Sequence, residues 1–409
     1  MSDPYAVLKI ADFRFFISAR FCVTLAIQIQ GVIVGYQVYE LTKDPFSLGL
    51  IGLAEAIPSI VVSLYAGHVA DIVIRKKIIV WCLATLVFCS VSLLFFTTDL
   101  SSVVLNYGVI PIYSVIFVSG IARGFLTPAN FSFMPQLVPR ELFPNAVTIN
   151  STTWEVGSIA GPAVGGFLYG LFGVTVAYTA DAALMIIGLL FLLNVASKPL
   201  PPESDEQGVV DKIAAGLSFV FTNKIVLAAI SLDLFAVLFG GAVALLPIFA
   251  DQILHVGPLG FGFLRAAPSI GALVIALVVM HNPIKRNMGK LLLWCVAGFG
   301  ICMIGFGLST YFWLSLALLI ASGGFDCVSV IIRLTVLQTL TPENMKGRVS
   351  AVNNIFIGSS NEIGMFESGV AAKAFGVVPS VILGGCLTVA VVSTIAWFGK
   401  SLRRLQNVS

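Results

Sequence analysis

The chain has 409 residues, of which 58% are hydrophobic and only 11% are charged. A soluble globular protein carries about 25% charged residues, so this composition excludes a soluble domain and indicates a protein that crosses a membrane several times. The formal net charge of +3 is small, and no nucleic-acid partner is expected. The seven cysteines lie in apolar stretches without C-x-x-C spacing, so neither a disulfide framework nor a metal site is indicated.

Twelve apolar stretches are each long enough to cross a bilayer, which takes about 20 residues in a helix. A segment rich in proline and charge follows the sixth stretch, as is typical of a linker. The sequence therefore predicts an all-α membrane protein with two six-helix bundles, at residues 1–197 and 225–409, joined by a linker at 198–224. The twelve stretches are Phe15–Leu41, Leu48–Ile72, Ile78–Phe96, Val103–Leu126, Asn145–Leu168, Ala177–Val195, Ile225–Ala250, Gly260–Met280, Leu291–Leu308, Phe312–Leu337, Val349–Ala372 and Val381–Phe398.

Positive charges are distributed unequally among the segments that connect these stretches. If the N-terminus is cytoplasmic, most of the 23 lysines and arginines lie on the cytoplasmic side, whereas Lys43 and Lys373 lie outside. Cytoplasmic segments of membrane proteins are enriched in Lys and Arg. We therefore expect both termini and the linker to be cytoplasmic.

The two halves of the sequence repeat each other. Residues 55–60, EAIPSI, align with residues 265–270, RAAPSI, and residues 77–82, KIIVWC, align with residues 290–295, KLLLWC. Each half has six predicted helices, so its two ends lie on the same side of the membrane and the repeat is parallel. Such a repeat is typical of transporters.

Small residues recur around a proline in the fifth stretch, in the order Gly157, Gly161, Pro162, Gly165, Gly166. Small residues four apart let a second helix approach backbone to backbone. The proline removes a backbone donor and bends the helix. The pattern predicts a moving helix with a packing groove, in which added bulk would hinder conformational change.

A loop motif between the second and third stretches consists of residues 67–71, GHVAD, and the basic residues 75–77, RKK. With this motif, the repeat and the glycine pattern, the whole chain resembles the major facilitator superfamily. The glycine pattern resembles the helix-5 antiporter motif of its exporters, and residues 361–369, NEIGMFESG, resemble the bacterial group that contains the enterobactin exporter. The loop departs from the superfamily pattern at Ile72 and Ile74, where an arginine and a glycine are usual.

This resemblance implies a transporter of the bacterial plasma (inner) membrane that works by alternating access. It implies that Gly67, Asp71 and Arg75 belong to the inner gate. It also places the glycine strip of helix 5 against helix 8, at a seam between the halves.

Eleven charged side chains lie inside the predicted spans, where a charge costs about 2.5–3.5 kcal/mol at the helix centre and usually faces a cavity or a partner. They are Arg20, Arg123, Arg265, Arg333, Glu55, Glu155, Asp181, Asp233, Asp326, Glu362 and Glu367. In three cases repeat-equivalent positions carry opposite charges, namely Arg20 and Asp233, Glu55 and Arg265, and Arg123 and Asp326.

We predict that these opposite charges attract each other across the cavity as gate pairs. Glu55 and Arg265 would close the outer gate, and Arg123 and Asp326 would help to close the inner one. The alternative is that each charge pairs within its own half and only stabilises the fold. Arg333, seven residues after Asp326, shares a helical face with it and could satisfy it in part.

Proton coupling needs a carboxyl group that changes protonation as the cavity changes side. Glu362, Glu367 and Asp233 are the candidates. The two glutamates are five residues apart and point about 140° from one another, so at most one of them faces the cavity squarely. We expect Glu362 to carry the proton; the alternative is a structural glutamate bonded to a neighbouring helix.

We predict a secondary active exporter that exchanges protons for small amphipathic organic molecules, such as siderophores or drugs. The sequence contains no phosphate loop or catalytic triad, so neither an enzyme nor a bound cofactor is expected. Its partners would be the substrate, protons and the lipid bilayer, and the protein would act as a monomer. The alternatives are a proton-coupled uptake transporter of a small solute and a transport-inactive membrane sensor or scaffold.

Overall fold

The computed structural model describes residues 6–98, 102–199, 217–240, 242–282, 287–342, 345–398 and residue 403. Within these ranges all regular elements are helices, and twelve of them are long, which confirms the predicted all-α fold. They are α1 Ala11–Thr42, α2 Pro45–Ile72, α3 Arg75–Phe95, α4 Ile110–Phe133, α5 Phe143–Phe172, α6 Val174–Leu193, α7 Lys224–Gly240, α8 Gly257–His281, α9 Met288–Leu308, α10 Phe312–Leu340, α11 Lys346–Phe375 and α12 Val377–Phe398.

Ten of the helices in the described part of the chain are long and apolar enough to cross a membrane. The remaining two, α5 and α11, are equally long, with 30 residues each, but their first halves are rich in Asn, Ser, Thr and charged residues. The most polar long helices therefore occupy equivalent places in the two halves of the sequence.

The connection between α1 and α2 consists of two residues, Lys43 and Asp44. Lys43 adopts a left-handed conformation at the end of α1, and its N–H group donates to the carbonyl of Tyr39 at 2.8 Å. Pro45 then begins α2, where a missing backbone donor costs nothing. After α7 the chain continues through a 3₁₀ turn at Ala242–Leu245 and a short π-helix at Phe249–Ile253.

The chain folds into two compact units, each of which includes a segment from the other half of the sequence. Unit 1 consists of residues 1–43, 54–204 and 257–266. Unit 2 consists of residues 44–53, 205–256 and 267–409. The first turns of α8 thus belong to unit 1, and those of α2 belong to unit 2. The predicted division into bundles at 1–197 and 225–409 with a linker remains a prediction.

Each unit has its own apolar core. In unit 1, α1 packs on α5 and α6, and α3 packs on α4 and α6; Phe13, Phe16 and Phe133 are almost completely buried there. In unit 2, α9 packs on α10 and α12, and its core includes Leu232 and Ile332. Lipid chains are as apolar as these side chains, so close van der Waals packing between the helices, and not removal from water, stabilises these cores.

The sequence repeat reappears in the packing of the helices. In unit 1, a Cβ atom at Gly120 of α4 would lie 2.5 Å from the carbonyl oxygen of Glu55 and 2.8 Å from the ring of Pro58 in α2. In unit 2, the repeat-equivalent Gly323 of α10 lies against Pro268 of α8 so closely that a Cβ atom would collide with its backbone. Both glycines are required by the same close approach of two helices.

Candidate functional site

A series of polar side chains crosses unit 1 inside its membrane-spanning helices. It begins at Glu55 on α2, which forms an ion pair with Arg123 on α4. The two side chains are 22% and 20% exposed, respectively, so the pair is largely enclosed by protein. Arg123 Nη2 also donates a hydrogen bond of 3.2 Å to Gln30 Oε1 on α1. One guanidinium group therefore links three helices.

Gln30 extends this series of contacts into the interior of the unit. Its Nε2 atom donates to Asp181 Oδ2 on α6 at 3.3 Å and to Ser90 Oγ on α3 at 3.4 Å. Because a guanidinium group has donors only, Gln30 must present its oxygen to Arg123 and its NH₂ group to the other two side chains. Gln30 is 2% exposed, and Asp181 and Ser90 are completely buried. The amide thus connects a cation to a carboxyl group. We call Glu55, Arg123, Gln30, Ser90 and Asp181 the five-residue network.

Unit 2 contains a more deeply buried ion pair. Arg333 on α10 contacts Asp233 on α7, and the two side chains are 3% and 8% exposed. The Nε atom of Arg333 is buried and has no hydrogen-bond acceptor within the described ranges. Among the described residues, Asp233 is the acidic side chain that forms an ion pair with this guanidinium group. Asp326, two helical turns before Arg333, lies partly buried on the same helix.

These two ion pairs follow the alternative interpretation of the intramembrane charges, because Glu55 and Asp233 each contact an arginine of their own sequence half. Arg265, the predicted partner of Glu55, lies in the same unit as Glu55. Arg20, the predicted partner of Asp233, lines a small cleft in unit 1 together with Asn130. The pairing of repeat-equivalent charges as gates remains a prediction.

The glycine strip of α5 packs on a different helix from the predicted one. A Cβ atom at Gly157 would lie 2.8 Å from Thr24 of α1, one at Gly161 would collide with Gln28, and Gly165 faces the next turn of α1. Residues four apart share one helical face, and this face turns towards α1 within the same unit. The expected contact of these three glycines with α8 is therefore wrong.

The close approach of α5 to α8 is made by Gly166 instead. A Cβ atom at Gly166 would lie 2.5 Å from the Cα atom of Gly262, and one at Gly262 would lie 2.9 Å from the carbonyl oxygen of Pro162. Unit 2 contains an equivalent contact, in which a Cβ atom at Gly369 of α11 would lie 2.7 Å from the Cα atom of Gly49 of α2. Gly166 and Gly369 are repeat-equivalent. Gly49 and Gly262 each lie four residues after the proline in the first turn of their helices, Pro45 and Pro258.

The predicted inner-gate residues are only partly described. Arg75 Nη1, at the start of α3, donates a hydrogen bond of 3.1 Å to the carbonyl of Ser132 near the end of α4. Gly67 and Asp71 lie in α2, but the surroundings of both residues are outside the described part of the chain. The same holds for the side chain of Glu362 in α11, the predicted proton carrier.

Sequence reasoning missed the parts that Gln30, Ser90 and Asp181 play in the network. Asp181 gave a signal, since it is an acidic residue in the middle of an apolar stretch, but no partner was predicted for it. A single glutamine or serine in a transmembrane stretch gives no comparable signal. Within the described ranges, no three His, Cys, Asp or Glu side chains are placed to hold a metal ion.

Comparison with known proteins agrees with a transporter fold. The chain is similar to the POT family transporter PepTSo, with a TM-score of 0.72 and 14% identity over 96% of this chain and 98% of that one. It is also similar to the inward-open xylose transporter XylE from E. coli, with a TM-score of 0.68 and 14% identity over 98% of this chain and 99% of that one. At this level of identity the likeness shows the fold, which is that of the major facilitator superfamily.

Comparison with curated relatives places the chain in a narrower group of transporters than the fold does. The chain is 28% identical over 340 residues to the enterobactin exporter EntS of Shigella dysenteriae serotype 1 (strain Sd197), covering 83% of this chain and 80% of EntS. The enterobactin exporter EntS of Escherichia coli O1:K1 / APEC gives the same identity and coverage. The transmembrane secretion effector family matches residues 2–407. With its membrane-spanning helices and buried intramembrane charges, this chain is a multi-pass membrane transporter that belongs to the transmembrane secretion effector family.

Proposed function

We propose that this transporter is an exporter, which moves small amphipathic organic molecules, such as siderophores or drugs, out of the cytoplasm in exchange for protons. The names of the curated relatives support export and a siderophore as one possible cargo. The protein works as a monomer by alternating access in the bacterial inner membrane. Both of its termini are cytoplasmic, as the distribution of Lys and Arg favours.

The observation that carries the proposal is the ion pair of Glu55 with Arg123, which is extended by Gln30. Replacement of a buried ion pair by apolar residues is often neutral or stabilising, so stability alone does not require one. Charged groups inside membrane helices typically mark the pathways of substrates and protons. A proton on Glu55, or an anionic group of the substrate beside Arg123, would release the pair and free the guanidinium group for a new contact.

Transport into everted membrane vesicles tests this proposal, with enterobactin and a cationic dye as probes. Export from the cell corresponds to uptake into an everted vesicle, so acidification of the vesicle lumen should drive uptake of a probe. Arg123→Met should abolish this uptake. Arg403→Met, which removes an exposed arginine near the C-terminus, should leave it unchanged.

Two results would contradict the proposal. Uptake that a protonophore leaves unchanged would refute proton coupling. Gradient-driven accumulation in right-side-out vesicles would instead support the uptake alternative. Equilibrium exchange of the probe across the vesicle membrane separates any transporter from a sensor or scaffold.

The gate that Glu55 would form with Arg265 is a further part of the proposal. Both residues lie in unit 1, and two unit charges 4 Å apart attract each other by about 4 kcal/mol at an effective dielectric constant of about 20. Glu55→Arg should impair transport. If Glu55 closes a gate with Arg265, Arg265→Glu in the same chain should restore part of it. If the pair with Arg123 is the functional one, Arg123→Glu should restore it instead, and the gate assignment is then refuted.

The inner gate would depend on Gly67, Asp71 and Arg75, and the hydrogen bond of Arg75 to α4 supports a role in holding α3 beside α4. Asp326 and Arg20 remain candidates for substrate or proton contacts. The assignment of Gly67, Asp71 and Arg75 follows the resemblance of the loop motif to that of the superfamily, whereas Asp326 and Arg20 are candidates because their charges lie inside predicted spans.

Glu362 is the proposed proton carrier of α11, with Glu367, which is half-buried, as its matched control. Glu362→Gln should remove the dependence of transport on the pH gradient in proteoliposomes, whereas Glu367→Gln should keep it. Unchanged dependence in Glu362→Gln would reject this choice, and loss in Glu367→Gln alone would transfer the role to that residue.

A further inference from the structure

Asp181 is the most completely buried acidic side chain of the five-residue network. It lies in the middle of α6 with no exposed surface. Its Oδ2 atom accepts the hydrogen bond from Gln30, whereas its Oδ1 atom has no hydrogen-bond partner within the described ranges. An ionised carboxylate offers about four acceptor positions, and the described donors close to Asp181 are the amide of Gln30 and the hydroxyl of Ser90. The site therefore supplies fewer donors than an ionised carboxylate can accept.

The charges of the network do not balance when all its members are ionised. Glu55 and Asp181 would carry two negative charges, and Arg123 would carry one positive charge. Arg123 is already engaged by Glu55, and among the described residues hydrogen bonds link it to Asp181 through Gln30. Burial of an uncompensated charge is very costly, and one added proton makes the network neutral.

The other titratable groups around Asp181 do not compensate its charge. Cys89 on α3 has its Sγ atom 3.7 Å from the carbonyl oxygen of Val115. Tyr178, one helical turn before Asp181, donates its hydroxyl hydrogen to Gln37 Oε1 on α1 at 2.7 Å.

On α5, which also packs against α6, Tyr169 donates to Glu40. Among these groups only Arg123 is a cation, and it lies within electrostatic range of Asp181. The proton balance of the network is therefore decided between Asp181 and Glu55.

We propose that Asp181 is a proton-binding site, which takes up and releases one proton and passes the change of charge to the Glu55–Arg123 pair through the amide of Gln30. With Asp181 ionised, the NH₂ group of Gln30 is drawn to Oδ2 and its oxygen is held at Arg123. With Asp181 protonated, the amide is free to loosen from both. The strength with which Arg123 holds Glu55 then changes with the proton, so α1, α2, α4 and α6 respond together.

The role of this site in transport depends on the proton exchange proposed above, but proton binding itself does not. A first experiment therefore measures protonation without substrate. Infrared difference spectra of the purified protein between acidic and alkaline pH should contain a carboxylic-acid C=O band that disappears in Asp181→Asn. The band should persist in Glu40→Gln, which removes a carboxylate of α1 outside the network.

Asp181→Glu covers the case in which the asparagine variant fails to fold. The longer side chain should keep a titrating band but shift its frequency or its pH midpoint. A difference spectrum that is identical in wild type, Asp181→Asn and Asp181→Glu would overturn the proposal. A band that is lost in Asp181→Asn and shifted in Asp181→Glu would support it.

A second experiment measures coupling in proteoliposomes with enterobactin as the probe. Asp181→Asn and Gln30→Leu should lose the stimulation of probe transport by a pH gradient, whatever rate of exchange each variant keeps at equal pH on both sides. If the wild type shows no such stimulation while the infrared band is present, proton-coupled export fails and the proton site stands. If the wild type is stimulated and Asp181→Asn responds equally with its band intact, export stands and the proton site fails.

Discussion

Removal of the negative charge at Asp233 should destabilise the protein strongly. Asp233→Asn keeps the shape of the side chain but leaves the guanidinium group of Arg333 almost completely buried without its counter-charge. The loss of one partner from a buried ion pair costs about 3–5 kcal/mol, which corresponds to a factor of roughly 10² to 10⁴ in the unfolding equilibrium constant. Because Arg333 and Asp233 are only 3% and 8% exposed, we expect a value in this range without discount for solvent.

Two matched variants set the scale for this prediction. Glu55→Gln breaks a pair whose side chains are about one-fifth exposed, and Arg123 keeps its bond to Gln30, so the cost should be smaller, about 1–2 kcal/mol. Asp44→Asn breaks an exposed pair with Lys373, in which the lysine is 57% exposed and the aspartate is 33% exposed. Its cost should be below about 1 kcal/mol.

Reversible unfolding in mixed detergent micelles, followed by circular dichroism, measures these differences. The expected order of destabilisation is Asp233→Asn, then Glu55→Gln, then Asp44→Asn. The double variant Asp233→Leu with Arg333→Leu should recover most of the loss, because no unpaired charge remains. If Asp233→Asn costs no more than Asp44→Asn, or if the double variant is less stable than the single one, burial does not determine the strength of these pairs.

The other predictions concern helix contacts. Gly166→Ala should abolish probe transport while membrane expression persists, because a Cβ atom there would lie 2.5 Å from the backbone of α8. As the control, Gly31→Ala should retain transport and gain up to about 1 kcal/mol in stability, because a Cβ atom at Gly31 would have no neighbouring atom within 4 Å. Equal transport activity of the two variants would contradict a tight contact at Gly166. Lys76→Met should lower the free energy of unfolding by about 1.5–3 kcal/mol, since Lys76 Nζ donates to two carbonyls at the end of α6. The control Lys77→Met removes an exposed lysine and should lower the free energy of unfolding much less. Equal thermal stability of the two variants would refute the role of Lys76.

The sequence predicts the helices of this protein well because apolar stretches of about 20 residues have few alternatives in a membrane. The spacing of Gly157, Gly161 and Gly165 likewise establishes that they share a helical face. It cannot establish which neighbour this face meets, since α1 and α8 both demand small residues from α5. Only the packed structure shows that the helix in contact with these three glycines is α1.

The sequence likewise does not establish which charged side chains form ion pairs. Opposite charges at Glu55 and Arg265 follow from the repeat, but the contact of Glu55 with Arg123 depends on the depth and rotation of two helices. An error of one residue in helical phase rotates a side chain by about 100°. Gln30 escaped notice for a related reason, because its place in the network comes from the three side chains that it contacts and not from its own residue type.

The contacts of Gly166 with Gly262 and of Gly49 with Gly369 are reciprocal. In the first contact the fifth helix of the first half, α5, meets the second helix of the second half, α8. In the second contact the second helix of the first half, α2, meets the fifth helix of the second half, α11. This reciprocity is the rule for an isologous interface between two copies of the same chain. A single six-helix segment that carried both glycines would already possess both surfaces of such an interface. The two contacts of the present chain are thus related in the way that an isologous interface requires, and because each lies within one compact unit, each can be altered by a separate substitution.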